Sequence, residues 1–338
     1  MPGDSSPLGS AAPASGTVLE VRDLSVEYLL ERGTVLAVDQ VSFDLSAGEF
    51  LGIVGESGCG KSTLLFAIAQ LLVPPAEVTG GRVIFKGRNM VGLTDRELSA
   101  VRWRDLSVVM QSAMNALNPV KSIGAQYFDA MRAHGVASKG EIAERSSEVL
   151  KMVGIDPVHL KSYPHQLSGG MRQRAMIAMA LLFTPELVIM DEPTSALDVV
   201  AQRSLMVQIK ELQEELGFAI IFVTHDMSLV SHFSDRLMVM YGGIVAEFGA
   251  TRQVFDNPLH PYSIGLLEAF PSIRGPRVPL TGIPGSPPNL ANIPPGCRFA
   301  PRCPKVMARC EVEPPELYQM DGTLVRCFLH DGGGRADD

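Results

Sequence analysis

The sequence lacks any run of the roughly 18 apolar residues that a helix needs to cross a bilayer. Its longest candidate, Ala175 to Met190, is broken by Thr184, Pro185 and Glu186. It also lacks a cationic excess: 29 Lys and Arg stand against 37 Asp and Glu, for a formal net charge of -8. That balance argues against a general nucleic-acid binder, although a local basic site for an anion remains compatible with it. The opening residues, MPGDSSPLGSAAPASG, lack the charged-then-apolar layout of a secretory leader and read as a flexible tail over residues 1–16. Cysteine is scarce, at five residues in 338. In a chain read as cytosolic, such cysteines are free thiols or metal ligands more often than disulfides. No internal repeat is visible. What is present, 46% hydrophobic and 20% charged residues, suits a folded chain with a substantial core and excludes wholesale disorder.

The hydrophobic pattern predicts an α/β fold. Val18 to Leu30 alternates as a strand, and Ala37 to Leu45 follows after a turn at Glu31 to Gly33. FLGIVG (Phe50 to Gly55) is almost wholly apolar, as in a strand buried on both faces. Arg82 to Phe85, Leu187 to Met190 and Ala219 to Val223 read as further strands, and Arg236 to Phe248 as a hairpin turning at Gly242 and Gly243. Asp95 to Leu160 reads as largely helical, and Val199 to Leu216 as one helix. After Pro258 the composition shifts toward Pro and Gly, and four cysteines follow, which places a domain boundary between about Gly249 and Pro271.

GESGCGKS (Gly55 to Ser62) fits the G-x-x-x-x-G-K-S/T phosphate loop, set between a buried strand and a helix. Its glycines let successive N–H groups turn toward phosphate oxygens, and the helix adds its positive N-terminus. Lys61 can reach the β- and γ-phosphates, and Ser62 can offer its hydroxyl to Mg²⁺. Cys59 reads as a small residue of the loop and not as a ligand. LVIMDE (Leu187 to Glu192) ends an apolar strand in two carboxylates. Asp191 there can hold Mg²⁺, and Glu192 can act as general base on a water. LSGGMRQR (Leu167 to Arg174) offers backbone amides and a hydroxyl at a helix start; Ser168 is also a plausible N-cap, and both readings can hold. One nucleotide seldom needs two such sites on one chain, which suggests that the second serves the nucleotide of a partner.

With an upstream aromatic, GESGCGKS, Gln111, LSGGMRQR, LVIMDE, SALD (Ser195 to Asp198) and His225 in order, the sequence resembles the ATP-binding subunit of an ABC transporter over about Val18 to Pro271. The resemblance implies a P-loop NTPase core sheet with an antiparallel β subdomain and a helical subdomain (about 95–180), together an ATPase domain over 17–256. It implies that Tyr28 stacks on adenine, and that Gly55, Ser57, Gly58, Cys59, Gly60, Lys61, Ser62 and Thr63 form the ATP-binding loop. Gln111 would join the Mg²⁺ site and link it to the membrane subunits. Ser168, Gly169 and Gly170 would contact the γ-phosphate of a partner's ATP, and Asp198 would lie at the dimer interface. His225 would contact the γ-phosphate and orient Glu192. With Lys61, Glu192 and His225 all present, a hydrolysis-competent site is expected.

NPLHPYSIGLLEA (Asn257 to Ala269) and the segment Gly282 to Cys310 resemble the C-terminal extension of the oligopeptide, dipeptide and nickel importer branch, implying a small Cys-containing domain over 257–338. Cys297, Cys303, Cys310 and Cys327 form a C-x5-C-x6-C-x16-C array. The array lacks the C-x-x-C pairs of zinc ribbons, and some members of the branch carry a 4Fe–4S cluster there, so iron–sulfur is preferred over zinc. Reduced cysteines packed in a small domain, or a disulfide pair, remain open, as does His330 as an alternative ligand. The resemblance further implies ATP and Mg²⁺ as cofactors, two permease subunits, a second ATPase chain, an extracytoplasmic solute-binding protein, no nucleic acid, and a place on the cytoplasmic face of the membrane. The alternative is a soluble ABC ATPase of translation or DNA repair. A P-loop kinase or GTPase would leave LSGGMRQR and SALD unexplained.

Overall fold

Strand β3 (Phe50–Val54) is buried at every residue, a condition met only in the middle of a sheet covered on both faces. The computed structural model of the chain describes residues 16–31, 33–111, 116–195, 197–269, 282–332 and 334–335. The tail expected over 1–16 lies, but for Gly16, outside them. Parallel to β3 run β8 (Ala219–Val223) and β9 (Arg236–Tyr241), so that Ile53 faces Val223 on one side and Met238 on the other. The sheet continues from β8 through β7 (Leu187–Asp191) to β6 (Leu106–Val109), again in parallel. Strand β6 corrects the largely helical reading of Asp95 to Leu160. Its four residues are too few to show a period, and only pairing with β7 makes them a strand.

On the other side β9 turns at Gly242 and Gly243 into β10 (Ile244–Ala250). The chain beyond residue 256 does not stand apart from this sheet. Strand β12 (Thr323–Val325) pairs with β10, and β11 (Tyr318–Met320) and β13 (Gly334–Arg335) extend it, giving nine strands in the order β13-β11-β12-β10-β9-β3-β8-β7-β6 among the described residues. Buried Glu247 on β10 accepts from the Leu259 and His260 amides, each at 2.9 Å, and so fixes the chain leading into the C-terminal segment.

A second, antiparallel sheet has the order β2-β1-β4-β5, from β1 (Thr17–Leu30), β2 (Gly33–Ser46), β4 (Ala76–Phe85) and β5 (Arg88–Asn89). Its inward side chains, among them Leu19, Val21, Val41 and Phe43, share one core with Leu64, Leu65 and Ile68 of α1 (Lys61–Ile68). The helical part holds α2 (Asp95–Val101), α3 (Ile123–Ala133), α4 (Lys139–Met152) and α5 (Gly169–Ala180), capped by Thr94, Ser122, Ser138 and Ser168. Fully buried Tyr127 ties α3 to α5 by donating to the Ala175 carbonyl at 2.5 Å. Helix α6 (Val199–Leu216) covers the span read from the sequence, because Asp198 caps its start and Gly217, in the left-handed region, ends it. The remaining α-helices among the described residues include α7 (Met227–Phe233), α8 (Thr251–Asp256), α9 (Pro261–Glu268) and α10 (Ala308–Val312).

Candidate functional site

The carboxyl ends of β3, β7 and β8 bring together the residues expected to carry the chemistry. After Val54 the loop leaves β3 through Gly55 and curls through Gly58 and Gly60, all at positive φ. A Cβ at Gly60 would run into the Ala37 carbonyl, and one at Gly55 into that of Met240, so both positions demand glycine for close approach as well as for backbone freedom. Gly60 opens α1 with no side-chain cap, which leaves the first amides of that helix to whatever sits in the loop. Lys61 is buried and folds its ammonium over the loop, donating to the Gly55 carbonyl at 2.7 Å and the Glu56 carbonyl at 3.0 Å. The buried Cys59 side chain turns inward, and burial pushes its thiol up. Its carbonyl accepts from Gly243 at 3.0 Å. The structure thus places Cys59 as a packing residue of the loop. Tyr28, at the far end of β1, comes within 3.1 Å of Thr63 Oγ1 through its hydroxyl.

Asp191 ends β7 and is only 3% exposed. One of its oxygens, Oδ1, is buried without a hydrogen-bond partner. Burial raises the Asp191 carboxyl above its usual range, against the lowering effect of a hydrogen bond from Ser62. An unsatisfied, buried carboxylate oxygen beside the Ser62 hydroxyl is the donor set a hard divalent cation takes, so the residues present fit Mg²⁺. Glu192 follows at φ 45°, a strained conformation for a side chain of its size, held by its amide donating to the Val223 carbonyl at 2.9 Å. Gln111 Nε2 donates to Glu192 Oε2 at 2.7 Å, and His225 Nδ1 lies 3.5 Å from Oε1. The carboxylate is thereby held from both sides.

Ser168, Gly169 and Gly170 are not brought to this group. Ser168 Oγ accepts from Met171 N at 3.3 Å, and the hydrogen bonds of the segment stay within α5, the helix it opens. Asp198 likewise caps α6, accepting from Ala201 N at 2.9 Å, next to the exposed Val199 and Val200.

Sequence reasoning missed what stands behind the loop. The Glu56 amide donates to the Tyr262 hydroxyl at 2.9 Å, and the Glu56 carboxylate is gripped by Arg302 through Nη1–Oε2 at 2.6 Å and Nη2–Oε1 at 2.9 Å. Arg298 pairs with Asp39 and donates to the Gly242 carbonyl. The one local signal was a carboxylate at the second position of a loop built for anions; its partner lies 246 residues further on.

Cys297, Cys303, Cys310 and Cys327 are free thiols lining one cavity with His260, Phe299 and Phe328. Burial raises the Cys297 and Cys303 thiols and pushes Cys327 up to about 11, with neighbouring sulfurs adding to each. His330 is engaged elsewhere, with Nε2 at 3.1 Å from the Leu259 carbonyl. Among the described residues no three His, Cys, Asp or Glu side chains are arranged to hold a metal ion, so the four thiols share a cavity without forming a ligand set.

Comparison with known proteins agrees with this geometry. Residues 38–195 match the ABC transporter family, and residues 246–310 match the oligopeptide/dipeptide transporter C-terminal region. The chain is 42% identical to the dipeptide transport ATP-binding protein DppD of Caldanaerobacter subterraneus subsp. tengcongensis, over 94% of this chain and 98% of that one. It is 44% identical to the oligopeptide transport ATP-binding protein OppD of Salmonella typhimurium, over 94% and 95%. Among solved structures it resembles the dimeric, post-hydrolysis ATP-binding cassette MJ0796 bound to ADP and Pi, with a TM-score of 0.62 at 30% identity over 69% of this chain and 99% of that one. It also resembles cbiO1 of Clostridium perfringens, part of the transporter complex cbiONQ, with a TM-score of 0.62 at 30% identity over 72% and 92%. From the phosphate loop to the C-terminal region, the chain belongs to the ABC transporter family as an ATPase of the branch that carries the oligopeptide/dipeptide transporter C-terminal region.

Proposed function

We propose that this ATPase hydrolyses ATP to ADP and phosphate to power the import of peptides, and that Glu192 is its general base. The observation that carries this reading is the Glu192 carboxylate, held between Gln111 and His225 and set beside a phosphate loop. Lys61 exchanges its two loop carbonyls for the β- and γ-phosphates of ATP, while Gly55, Ser57, Gly58, Cys59, Gly60, Ser62 and Thr63 surround them with backbone and hydroxyl donors. Tyr28 stacks on the adenine. Glu192 takes the proton of the attacking water as the water adds to the γ-phosphorus, and ADP leaves with the bridging oxygen. Gln111 fixes one carboxylate oxygen, which leaves the other, 3.5 Å from His225 Nδ1, to accept that proton. Ser62, Asp191 and Gln111 are the residues that would hold Mg²⁺, which supplies charge neutralisation on the phosphates.

An ATP-binding subunit of a peptide importer implies permease partners, and no helix among the described residues is long and apolar enough to cross a membrane. In the proposed assembly two permease subunits hold this chain at the cytoplasmic face, beside a second, similar ATPase chain, and an extracytoplasmic protein delivers the solute. Ser168, Gly169 and Gly170 then close over the partner's ATP, and Asp198 lies at that contact. The dimeric cassette with 30% identity supports this arrangement. The soluble ATPase of translation or DNA repair finds no support, because these near full-length relatives are transport subunits.

Cys297, Cys303, Cys310 and Cys327, which share one cavity but are not arranged as a ligand set as they stand, are proposed to draw together around a 4Fe–4S cluster, on the ground that among the described residues four thiols and no carboxylate line that cavity. Such a cluster would serve structure, since hydrolysis needs no electron transfer.

The decisive measurement is phosphate release by the chain reconstituted with its permeases in vesicles. Glu192→Gln is expected to lower kcat about 10³-fold while ATP binding persists. Unchanged kcat would remove Glu192 from the role of base, and stimulation by no peptide would remove the proposed solute class. Iron and acid-labile sulfide in anaerobically purified protein, lost in Cys303→Ser, test the cluster; zinc or no metal would refute it.

A further inference from the structure

The phosphate loop carries a carboxylate at its second position, where a polyanion is to be bound. Glu56 lies directly between Gly55 and Ser57, and its carbonyl takes the Lys61 ammonium at 3.0 Å. A negative charge this close to a triphosphate opposes binding unless it is neutralised or drawn aside. Arg302 does both. Its guanidinium meets Glu56 in a two-pronged pair of 2.6 and 2.9 Å, with side-chain exposures of 5% for Arg302 and 25% for Glu56. The remaining donors of the guanidinium are also satisfied: Nε donates to the Pro284 carbonyl at 2.8 Å, and further contacts at 3.3 Å reach the Ile283 carbonyl and the Tyr241 hydroxyl. So held, Arg302 cannot swing away, and it fixes the carboxylate on the side of the loop that faces the C-terminal segment.

We infer that Arg302 is a positioning residue of the ATP site, which sets nucleotide affinity by neutralising Glu56 and holding its carboxylate away from the triphosphate. The inference rests on the ATPase reading of the loop and deepens it: the site is electrostatically complete only with a residue contributed from the C-terminal segment. Arg302 ends the short turn Ala300–Arg302 between Cys297 and Cys303, and the Cys297 amide donates to the Cys310 carbonyl at 2.8 Å. The same turn therefore directs thiols to one side and the loop's countercharge to the other.

The test compares KM for MgATP and kcat in the full-length wild type, Arg302→Gln, Arg302→Lys and the double variant Arg302→Gln/Glu56→Gln. Arg302→Gln is expected to raise KM about tenfold with kcat within about twofold, because Glu192 and its partners are untouched. Arg302→Lys, which keeps the charge, should raise KM less than about threefold. The double variant should return KM to within about threefold of wild type, because the offending charge is gone. A purely structural Arg302 predicts the opposite, a double variant no better than Arg302→Gln, and that outcome overturns the inference. So does an unchanged KM in Arg302→Gln. If Arg302→Gln does not fold, Glu56→Gln alone decides. A net positive charge left beside the loop should lower KM two- to fivefold, and a KM that is unchanged or raised refutes the inference. A wild type that neither binds nor hydrolyses ATP would instead sink the ATPase reading itself, so the two failures are distinguishable.

Discussion

The starts of α1 and α5 both present glycines and free amides, yet the fold treats them in opposite ways. The α1 start is braced from behind by distant parts of the chain: Gly243 on the Cys59 carbonyl, the Ala37 carbonyl against Gly60, and Tyr262 and Arg302 on Glu56. It has no cap of its own, so its amides and its lysine await a ligand. Among the described residues, the α5 start is closed by its own Ser168. The difference teaches that a glycine-rich helix start becomes a binding site in its own chain when tertiary contacts fix its backbone. Left unbraced and outward-facing, it suits a group brought by another chain.

The sharpest way to break this comparison is to disable each start separately. Lys61→Ala should weaken MgATP binding to the isolated chain at least 100-fold, since it removes the only side-chain cation the loop supplies to the phosphates. Ser168→Arg should leave that binding within about threefold and yet lower hydrolysis by the assembled transporter about 30-fold. Titration with a fluorescent ATP analogue, beside phosphate release, reads both. Equal loss of binding in the two variants would show that the two starts serve one nucleotide in one chain.

A third helix start extends the comparison and carries the smallest effect. Helix α9 is capped by a histidine: His260 Nδ1 accepts from Tyr262 N at 3.0 Å, which requires the neutral ring. Burial lowers the His260 pKa to about 3, with His330 and the buried Glu247 nearby and a hydrogen bond to the Arg326 backbone opposing the shift. The unfolded chain takes up its proton near pH 6.5, well before the folded one does. The stabilisation is therefore complete above about pH 6.5 and declines as pH falls toward 3, by about 2 kcal/mol between pH 7 and pH 5. Glu247, whose carboxyl burial raises, pulls in the other direction as pH rises. Comparison with His260→Asn isolates the histidine, because asparagine keeps a cap but does not titrate. Urea unfolding at pH 7 and pH 5 should show wild type losing about 2 kcal/mol more than the variant. Equal losses would place the acid sensitivity elsewhere.

Much of the core was legible because its signals are local. Strands β3, β7 and β8 are continuous apolar runs, and α6 is bracketed by Asp198 and Gly217. The candidate catalytic group was legible as types in order: a glycine loop with Lys61, then Gln111, a strand ending in Asp191 and Glu192, and His225. Strand β6 was not, because four residues carry no period and its identity comes from β7. The first half of β4 was not, because Gly80 and Gly81 interrupt the alternation there and Gly81 stays in the strand at positive φ against the backbone of Arg22 and Asp23. Strands β11 and β12 are three residues each and exist only through pairing with one another, with β10 and with β13.

By itself, then, the sequence determined the nucleotide-binding sheet, its phosphate loop and the order of its chemical groups, because apolar runs, glycines and carboxylates at fixed spacings act over a few residues. Only the tertiary structure decided that Gln111 and His225 would flank Glu192, that an oxygen of Asp191 would be buried without a partner, and that Arg302 would neutralise Glu56. Those contacts join residues from 33 to 246 positions apart, and a charge or hydrogen bond acts across space in a way that no local pattern records.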